Sequence, residues 1–422
     1  MSCFERIPVK RGRANHTVNS SQPLRLDPAT GGLKVSLEGG VRTTPAGELV
    51  GSQRVSLYNS ESAYGYSALR DAKTETGTGT VTDDDGEFIL STGVTAGGVA
   101  ALESKRRGVY VAGFPLECGV GVRFGDTLAG TAQALWGYYD ANNGFGWGVD
   151  ADGVFVFVRR AGATTKTHQT SWSLDKLNGR GSSGATLDLT AGVICELSFT
   201  FYGYGTIEWG FLVVVDGRRV YVPAHRETPS GATSIVAPNQ PVRAEIQNGD
   251  QATDYKIYVG GRQITKFGST GATTRTHAAS VLAVATNTSY APIISLRKKA
   301  TFNGRPNTVN VRLASIEIYA ADPTAYRVTY GGTLTGASFA GPSGVSATEV
   351  AAEIDTTASA NNIAAGLVIG GGFVATSSRA TGGDSLTQFD SFLGASDVIT
   401  IEARTISSTS TASVYVTWSE DW

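Results

Sequence analysis

Between about residue 96 and residue 322, apolar and polar positions alternate in short runs that recur every ~8–12 residues, the rhythm of an antiparallel sandwich. Gly108–Gly113, Cys118–Phe124, Ala134–Tyr139, Gly144–Val149, Val154–Arg159, Ile194–Tyr202, Thr206–Val215 and Arg219–Val222 are the first of these runs, and Val242–Gln247, Tyr255–Val259 and Val311–Ala320 continue them. Asp216-Gly217 falls between two apolar runs and marks a hairpin, because Gly accepts the positive φ such turns need. Asp140–Gly144 and Asp150–Gly153 read as turns of the same kind. No long helical period occurs. Ser173–Asn178 has the spacing of one helical turn, although the following Gly181–Gly184 favours a loop, and Val350–Ile354 reads as a short helix.

The flanks differ. Residues 1–48 carry Pro8, Pro23, Pro28 and Pro45, and their few extended pieces, such as Leu33–Leu37, are too isolated to bury a core. An anchoring arm that packs on another surface is expected there. Residues 49–95 read as a β-rich connector, with strands at Arg54–Tyr58 and Glu87–Leu90 and a turn at Asp83–Gly86. Residues 323–422 are dominated by Ala, Ser, Thr and Gly, and they predict a second, smaller β-domain. Its tail, Val414–Trp418, suits an intersubunit contact. The expectation is thus an all-β chain: an N-terminal arm, a connector, a sandwich over 96–322 and a C-terminal β-domain.

Composition narrows the function. Of 422 residues 53 are Gly, roughly double ordinary usage, without a collagen period. Formal net charge is −2, far from the basic balance of a nucleic-acid binder. Only the N-terminal stretch is basic, with Arg6, Lys10, Arg11 and Arg13 as candidate assembly contacts for an acidic partner. No apolar run approaches the ~20 residues that span a bilayer, and the first residues lack the apolar stretch of a secretory signal. Membrane insertion is not expected. Cys3, Cys118 and Cys195 are too few for a disulfide framework, and the latter two read as small buried hydrophobes.

No catalytic signature is present. His16, His168, His225 and His277 are far apart in sequence, and neither a G-x-S-x-G elbow nor a phosphate-cradling loop occurs. Asp83-Asp84-Asp85-Gly86 lacks the alternation of a calcium loop. Glu196, Glu208, Asp216 and Glu245 are carboxylates on or near strands that a glycoside hydrolase would need in pairs, but any β-protein this acidic offers such residues. The expectation is no enzyme, no cofactor and no metal. Aromatic residues cluster around one hairpin at Trp136, Tyr138, Tyr139, Phe145 and Trp147. They read first as core, with Trp136, Tyr139 and Trp147 kept as candidate glycan contacts.

Several segments occur in an order that resembles a module of tailed-bacteriophage virion proteins, also found in some large DNA viruses. They are Arg54-Val55-Ser56, Gly77–Thr80, Ser104–Tyr110, Tyr138–Trp147, Phe157–Arg160, Gln169–Gly179, Leu187–Thr190, Glu208–Leu212 and Pro238–Ile246. Gln169–Gly179 is the most specific. The resemblance implies a concanavalin A-like or jelly-roll sandwich in a virion, as a head-fibre, vertex, decoration or tail-associated appendage assembled in the host cytoplasm. It transfers no catalytic residue. By analogy the partners are two further copies of the chain in a homotrimer, other capsid or tail proteins, and, as an alternative role, a host surface glycan. A polysaccharide-degrading spike is the third reading.

Overall fold

The computed structural model describes residues 53–422, apart from 216, 269–273, 376–377, 382–391, 396 and 407–408. The candidate contacts Arg6, Lys10, Arg11 and Arg13, the arm that carries them, and Asp216 therefore lie outside the described residues. In chain order the first strands are β1 (Arg54–Ser60), β2 (Asp71–Thr76), β3 (Thr80–Asp84), β4 (Glu87–Ser91), β5 (Val99–Ser104), β6 (Leu116–Arg123), β7 (Gln133–Tyr139) and β8 (Gly144–Asp150). There follow β9 (Gly153–Arg160), β10 (Ala163–His168), β11 (Val193–Phe199), β12 (Ile207–Val215), β13 (Arg218–Glu227), β14 (Val242–Gln247) and β15 (Lys256–Phe267).

These strands form two antiparallel sheets. Sheet I has eight strands in the order β13-β12-β11-β6-β15-β4-β3, with β1 also on β15, and sheet II has seven in the order β10-β9-β8-β7-β14-β5-β2. The chain passes repeatedly between the sheets, as from β6 to β7 and from β14 to β15, so neighbours within a sheet are distant in sequence. This is a jelly-roll sandwich. The segment 49–95, expected as a connector, supplies β1 to β4 and belongs to both sheets.

The inner faces carry the large residues. Trp136, Tyr138, Phe145 and Trp147 of sheet II meet Cys195, Phe199, Trp209 and Phe211 of sheet I, all fully buried. The Phe145 and Phe199 rings are 5.2 Å apart edge to face, and Trp172 stacks on Phe211 at 5.5 Å. Such pairs add about 0.5–1.5 kcal/mol each beyond the area they bury. The stretch Gly144–Asp150 follows directly from its alternation: Phe145 and Trp147 point inward while Gly144, Gly146 and Gly148 face out. A Cβ on Gly148 would stand 2.5 Å from the Phe155 ring, and one on Gly146 2.8 Å from Phe157. The glycines are there because neighbouring rings lie across them.

The second set of strands is β16 (Thr274–Thr286), β17 (Ala291–Lys298), β18 (Thr301–Phe302), β19 (Arg305–Pro306), β20 (Asn310–Ala320), β21 (Thr324–Thr335), β22 (Ala352–Asp355), β23 (Ala360–Val374), β24 (Ser378–Thr381), β25 (Val398–Thr405) and β26 (Ser410–Asp421). Sheet III has the order β16-β26-β20-β24 and sheet IV the order β22-β17-β25-β21-β23. They enclose a separate core of Ile293, Ile294, Val311, Ile318, Val328, Ile401, Val416 and Trp418, among others. The sheets therefore divide the chain between Phe267 and Thr274, earlier than the expected 322, because strands of 274–320 pair with the C-terminal ones.

Other expectations are corrected by pairing. Gly108–Gly113 is not a strand; Ser173–Asn178 is irregular, as the glycines after it favoured, with a 3-10 turn just before it at Gln169–Ser171. The expected helix at Val350–Ile354 is largely β22, whose Ala352–Asp355 pair with β17. Val414–Trp418 lies in β26, hydrogen-bonded on both sides by β16 and β20, so that backbone is unavailable to another subunit. Among the described residues no helix is long and apolar enough to cross a membrane.

The Lys105-Arg106-Arg107 run joins the two regions. Lys105 Nζ lies 2.7 Å from Asp397 Oδ2, which also accepts the Tyr330 hydroxyl at 2.5 Å. The Arg107 backbone and the Asn310 side-chain amide exchange two hydrogen bonds of 2.9 Å.

Candidate functional site: a glycine-floored groove on sheet I

The outer face of sheet I is set by the same period of two that builds the core. Leu116, Cys118, Val120 and Val122 face inward, so Glu117, Gly119 and Gly121 of β6 face out. Register places Glu196 of β11 opposite Gly119 and Ile194 opposite Gly121. On the other side Gln263 of β15 stands opposite Gly119, and Asn59 of β1 stands opposite Gln263. Gly121 and Gly261 thus form a floor without side chains, with the Gln263 side chain lying across Gly119 beside it, and a groove of about 610 Å³ opens above.

One wall is Ile194, Glu196 and Leu212; the other is Asn59, Ser60, Glu61, Arg70 and Gln263. Several of these groups are fixed from below. Glu117 accepts from Arg54 at 3.3 Å and from Gln263 Nε2 at 3.2 Å. Arg70 donates to the Asn59 carbonyl and lies over the Tyr58 ring. At the groove's end Arg262, with its side chain wholly buried, donates to Asp71 at 3.2 and 3.1 Å and to Ser60 Oγ at 3.2 Å. The Tyr58 hydroxyl completes the Asp71 shell at 2.5 Å, and burial pushes that phenol far above its ordinary range. Because Asp71 belongs to sheet II and Arg262 to sheet I, this pair also closes the sandwich at that edge.

The candidate glycan contacts are elsewhere. Trp136 and Trp147 are fully buried between the sheets. Tyr139 points away from that core yet is equally buried, packed edge to face on Phe157 at 5.1 Å and covered by the Arg159 guanidinium. None of the three presents a ring to a ligand, because alternation within a two-faced strand hides one set in the core and a second shell of side chains hides the other. The groove residues Asn59, Glu61 and Gly119 carry no motif; only pairing across distant strands assembles them.

The candidate carboxylates also separate. Glu196 and Glu208 share the outer face of sheet I, whereas Glu245 is on sheet II beside Arg243. Glu208 is held by Arg226 and by the Tyr221 hydroxyl at 3.0 Å. Cys118 and Cys195 are buried as expected, and burial raises the Cys195 thiol to about 12, so neither is a reactive thiolate at neutral pH. His225 is kept neutral by burial and accepts from the Ser173 amide at 3.2 Å.

Asp150, Asp152 and His168 bring ligand atoms within 4.8 Å of one another. Lys166 Nζ already lies 2.8 Å from Asp150 and His168 Nε2 3.1 Å from it. Burial alone would raise the Asp150 carboxyl, but these two neighbours outweigh it and hold it below the usual range. With Asp150 already paired to a protein ammonium, the cluster reads as a surface ion network.

Part of the chain is similar to several solved structures. A protein of unknown function from Shewanella oneidensis MR-1 is 13% identical, covering 53% of this chain and 91% of that one, with a TM-score of 0.33. The legume lectin-like domain from Entamoeba histolytica is 10% identical, covering 48% and 91%, with a TM-score of 0.29. Lectin I-B4 from Griffonia simplicifolia is 6% identical, covering 50% and 99%, with a TM-score of 0.32. No protein-family model matches the chain, and no curated protein matches it.

Proposed function

We propose that the chain is a glycan-binding protein and that the groove on sheet I holds a neutral, hydroxyl-rich sugar. The observation that carries this reading is the bare floor of Gly121 and Gly261 between polar walls. Without side chains below it, a ring can approach the strand backbone closely. The walls supply both acceptors, Glu61 and Glu196, and donors, Asn59, Arg70 and Gln263, which is what sugar hydroxyls need. Charges of both signs line the groove, so a net charge on the ligand is not favoured. The volume falls within the range of ordinary ligand sites.

A glycan array probed with the full chain tests the reading. Gly121→Val places its Cβ 3.7 Å from the nearest atom, so it fits the strand while filling the floor. We expect it to lower affinity at least ~10-fold with an unchanged melting temperature. A silent array, or full binding by the Gly121→Val, Glu196→Gln double variant, would sink the proposal.

A second reading, supported by the ordered resemblance over residues 54–258, keeps the protein in a bacteriophage particle as an appendage mounted by its N-terminal arm. Deleting residues 1–45 is then expected to leave a soluble sandwich that no longer enters particles. Normal incorporation would defeat the anchor role.

A further inference from the structure

The edges of the sheets differ in one respect. An edge strand offers a row of unpaired N–H and C=O groups, and proteins protect such edges with charges, proline or bulges. Sheet I ends on β13, with Arg218, Arg219, Pro223 and Arg226, and on β3, with Asp83 and Asp84, while β1 carries Arg54. Sheet II ends on β2, with Asp71, Lys73 and Glu75, and on β10, with Lys166. In sheet III β16 carries Arg275 and β24 carries Arg379; in sheet IV β22 carries Glu353 and Asp355. The remaining edge, β23, runs for 15 residues, Ala-Asn-Asn-Ile-Ala-Ala-Gly-Leu-Val-Ile-Gly-Gly-Gly-Phe-Val, without a charge or a proline.

The same strand exposes apolar side chains. Phe373 is 74% exposed, Val368 57% and Leu367 46%. Among the described residues its strand partner is β21 on one side only, and the register is continuous over Leu367–Val368 and again over Gly370–Val374.

We propose that β23 is a self-association edge, pairing antiparallel with β23 of a second copy about a two-fold axis. The occupant follows from the charge pattern. With no charge of either sign, the strand has nothing to select an oppositely charged partner. Laid antiparallel on itself, it sets no like charges opposite one another at any register, a condition the other named edges do not offer. A two-fold contact of this kind is closed, so the edge would be consumed in the dimer and not left to propagate. The pairing would also cover Leu367, Val368 and Phe373.

The mass of the full chain in solution tests this, by light scattering on a sizing column at ~10 μM. Two copies are expected. Val368→Lys is expected to move the protein to one copy, with near-ultraviolet circular dichroism unchanged. In a Cys3→Ser background, single substitutions Ala364→Cys, Leu367→Cys, Val368→Cys and Phe373→Cys scan the exposed positions, and at least one is expected to cross-link to its own copy under mild oxidation. A single-copy or three-copy mass for the unaltered chain, a Val368→Lys protein that folds and still pairs, or absence of any cross-link each overturns the proposal.

Discussion

The sandwich of sheets I and II and the C-terminal pair of sheets are both two-layered β-structures, but they bury different material. The first fills its core with Trp136, Trp147, Trp209, Phe145, Phe199 and Phe211. The second fills its core mainly with Ile, Val and Ala, with Trp418 as its one buried tryptophan among the described residues. Their surfaces differ in the opposite sense. Every edge of sheets I and II is charged, while sheet IV ends on the uncharged β23. The sandwich thus combines an aromatic core with charged edges, whereas the C-terminal region combines a core of smaller residues with one uncharged edge strand. The lesson is that one strand geometry supports two regions that differ in where they place aromatic bulk and edge charge.

The most disruptive way to break this contrast is Trp147→Ala. The cavity it leaves among Phe211 and its neighbours should cost ~3–5 kcal/mol. A urea titration should show a lower midpoint, with glycan binding intact well below it. If binding vanished while stability held, Trp147 would be a ligand contact after all.

Next is the Asp71–Arg262 pair that closes the sandwich. Asp71→Ala leaves a buried guanidinium uncompensated and should cost ~3 kcal/mol or more. The double variant Asp71→Leu, Arg262→Met should recover part of that loss, since an apolar pair of similar volume avoids the desolvation penalty. Equal losses in the single and double variants would show that the ions act only through packing.

The coupling between the regions is expected to be smaller. Lys105→Ala removes a nearly buried ammonium from Asp397 and Tyr330 and should cost ~1–3 kcal/mol. Calorimetry should then show the two regions melting less cooperatively. A single unaltered transition would place the coupling elsewhere.

The smallest effect is the response to acid. Burial pushes the Asp150 and Asp175 carboxyls up, but hydrogen bonds outweigh it and leave both below the ordinary range; Asp355 in the C-terminal region behaves alike. Asp254, beside Ser91, adds another lowered carboxyl on the sandwich side. A carboxyl lowered on folding stabilises fully above its unfolded value of about 4, and the stabilisation drains away as pH falls through the folded value. The sandwich, with more such groups, should therefore lose protection first below about pH 4. Region-resolved hydrogen exchange at pH 3 to 5 would measure this, and earlier opening of the C-terminal strands would reverse it.

Much of the fold was legible because strand alternation and turn chemistry are local. Phe145, Trp147 and the intervening glycines announced a two-faced strand, and Asp83–Gly86 announced the turn that joins β3 to β4, with positive φ at Asp85 and Gly86. The C-terminal boundary was misplaced because Ala291–Lys298 and Asn310–Ala320 alternate like any other strands, and nothing local says which sheet they join. The short helix expected at Val350–Ile354 failed for a related reason: pairing with β17 overrode the helical preference of its alanines.

The sequence by itself determined that the chain is all-β, where several sandwich strands such as β7, β8, β9 and β14 lie, and that its aromatic hairpin is core. Those properties depend on side-chain period and on turn residues only a few positions apart. The tertiary structure alone decided which strands are neighbours. Gly119, Glu196, Gln263 and Asn59 become one groove through four strands spread over some two hundred residues, and β23 becomes an edge because β21 is its single strand partner among the described residues. Hydrogen bonding between strands is indifferent to their separation in the chain, so no local pattern could have named either site.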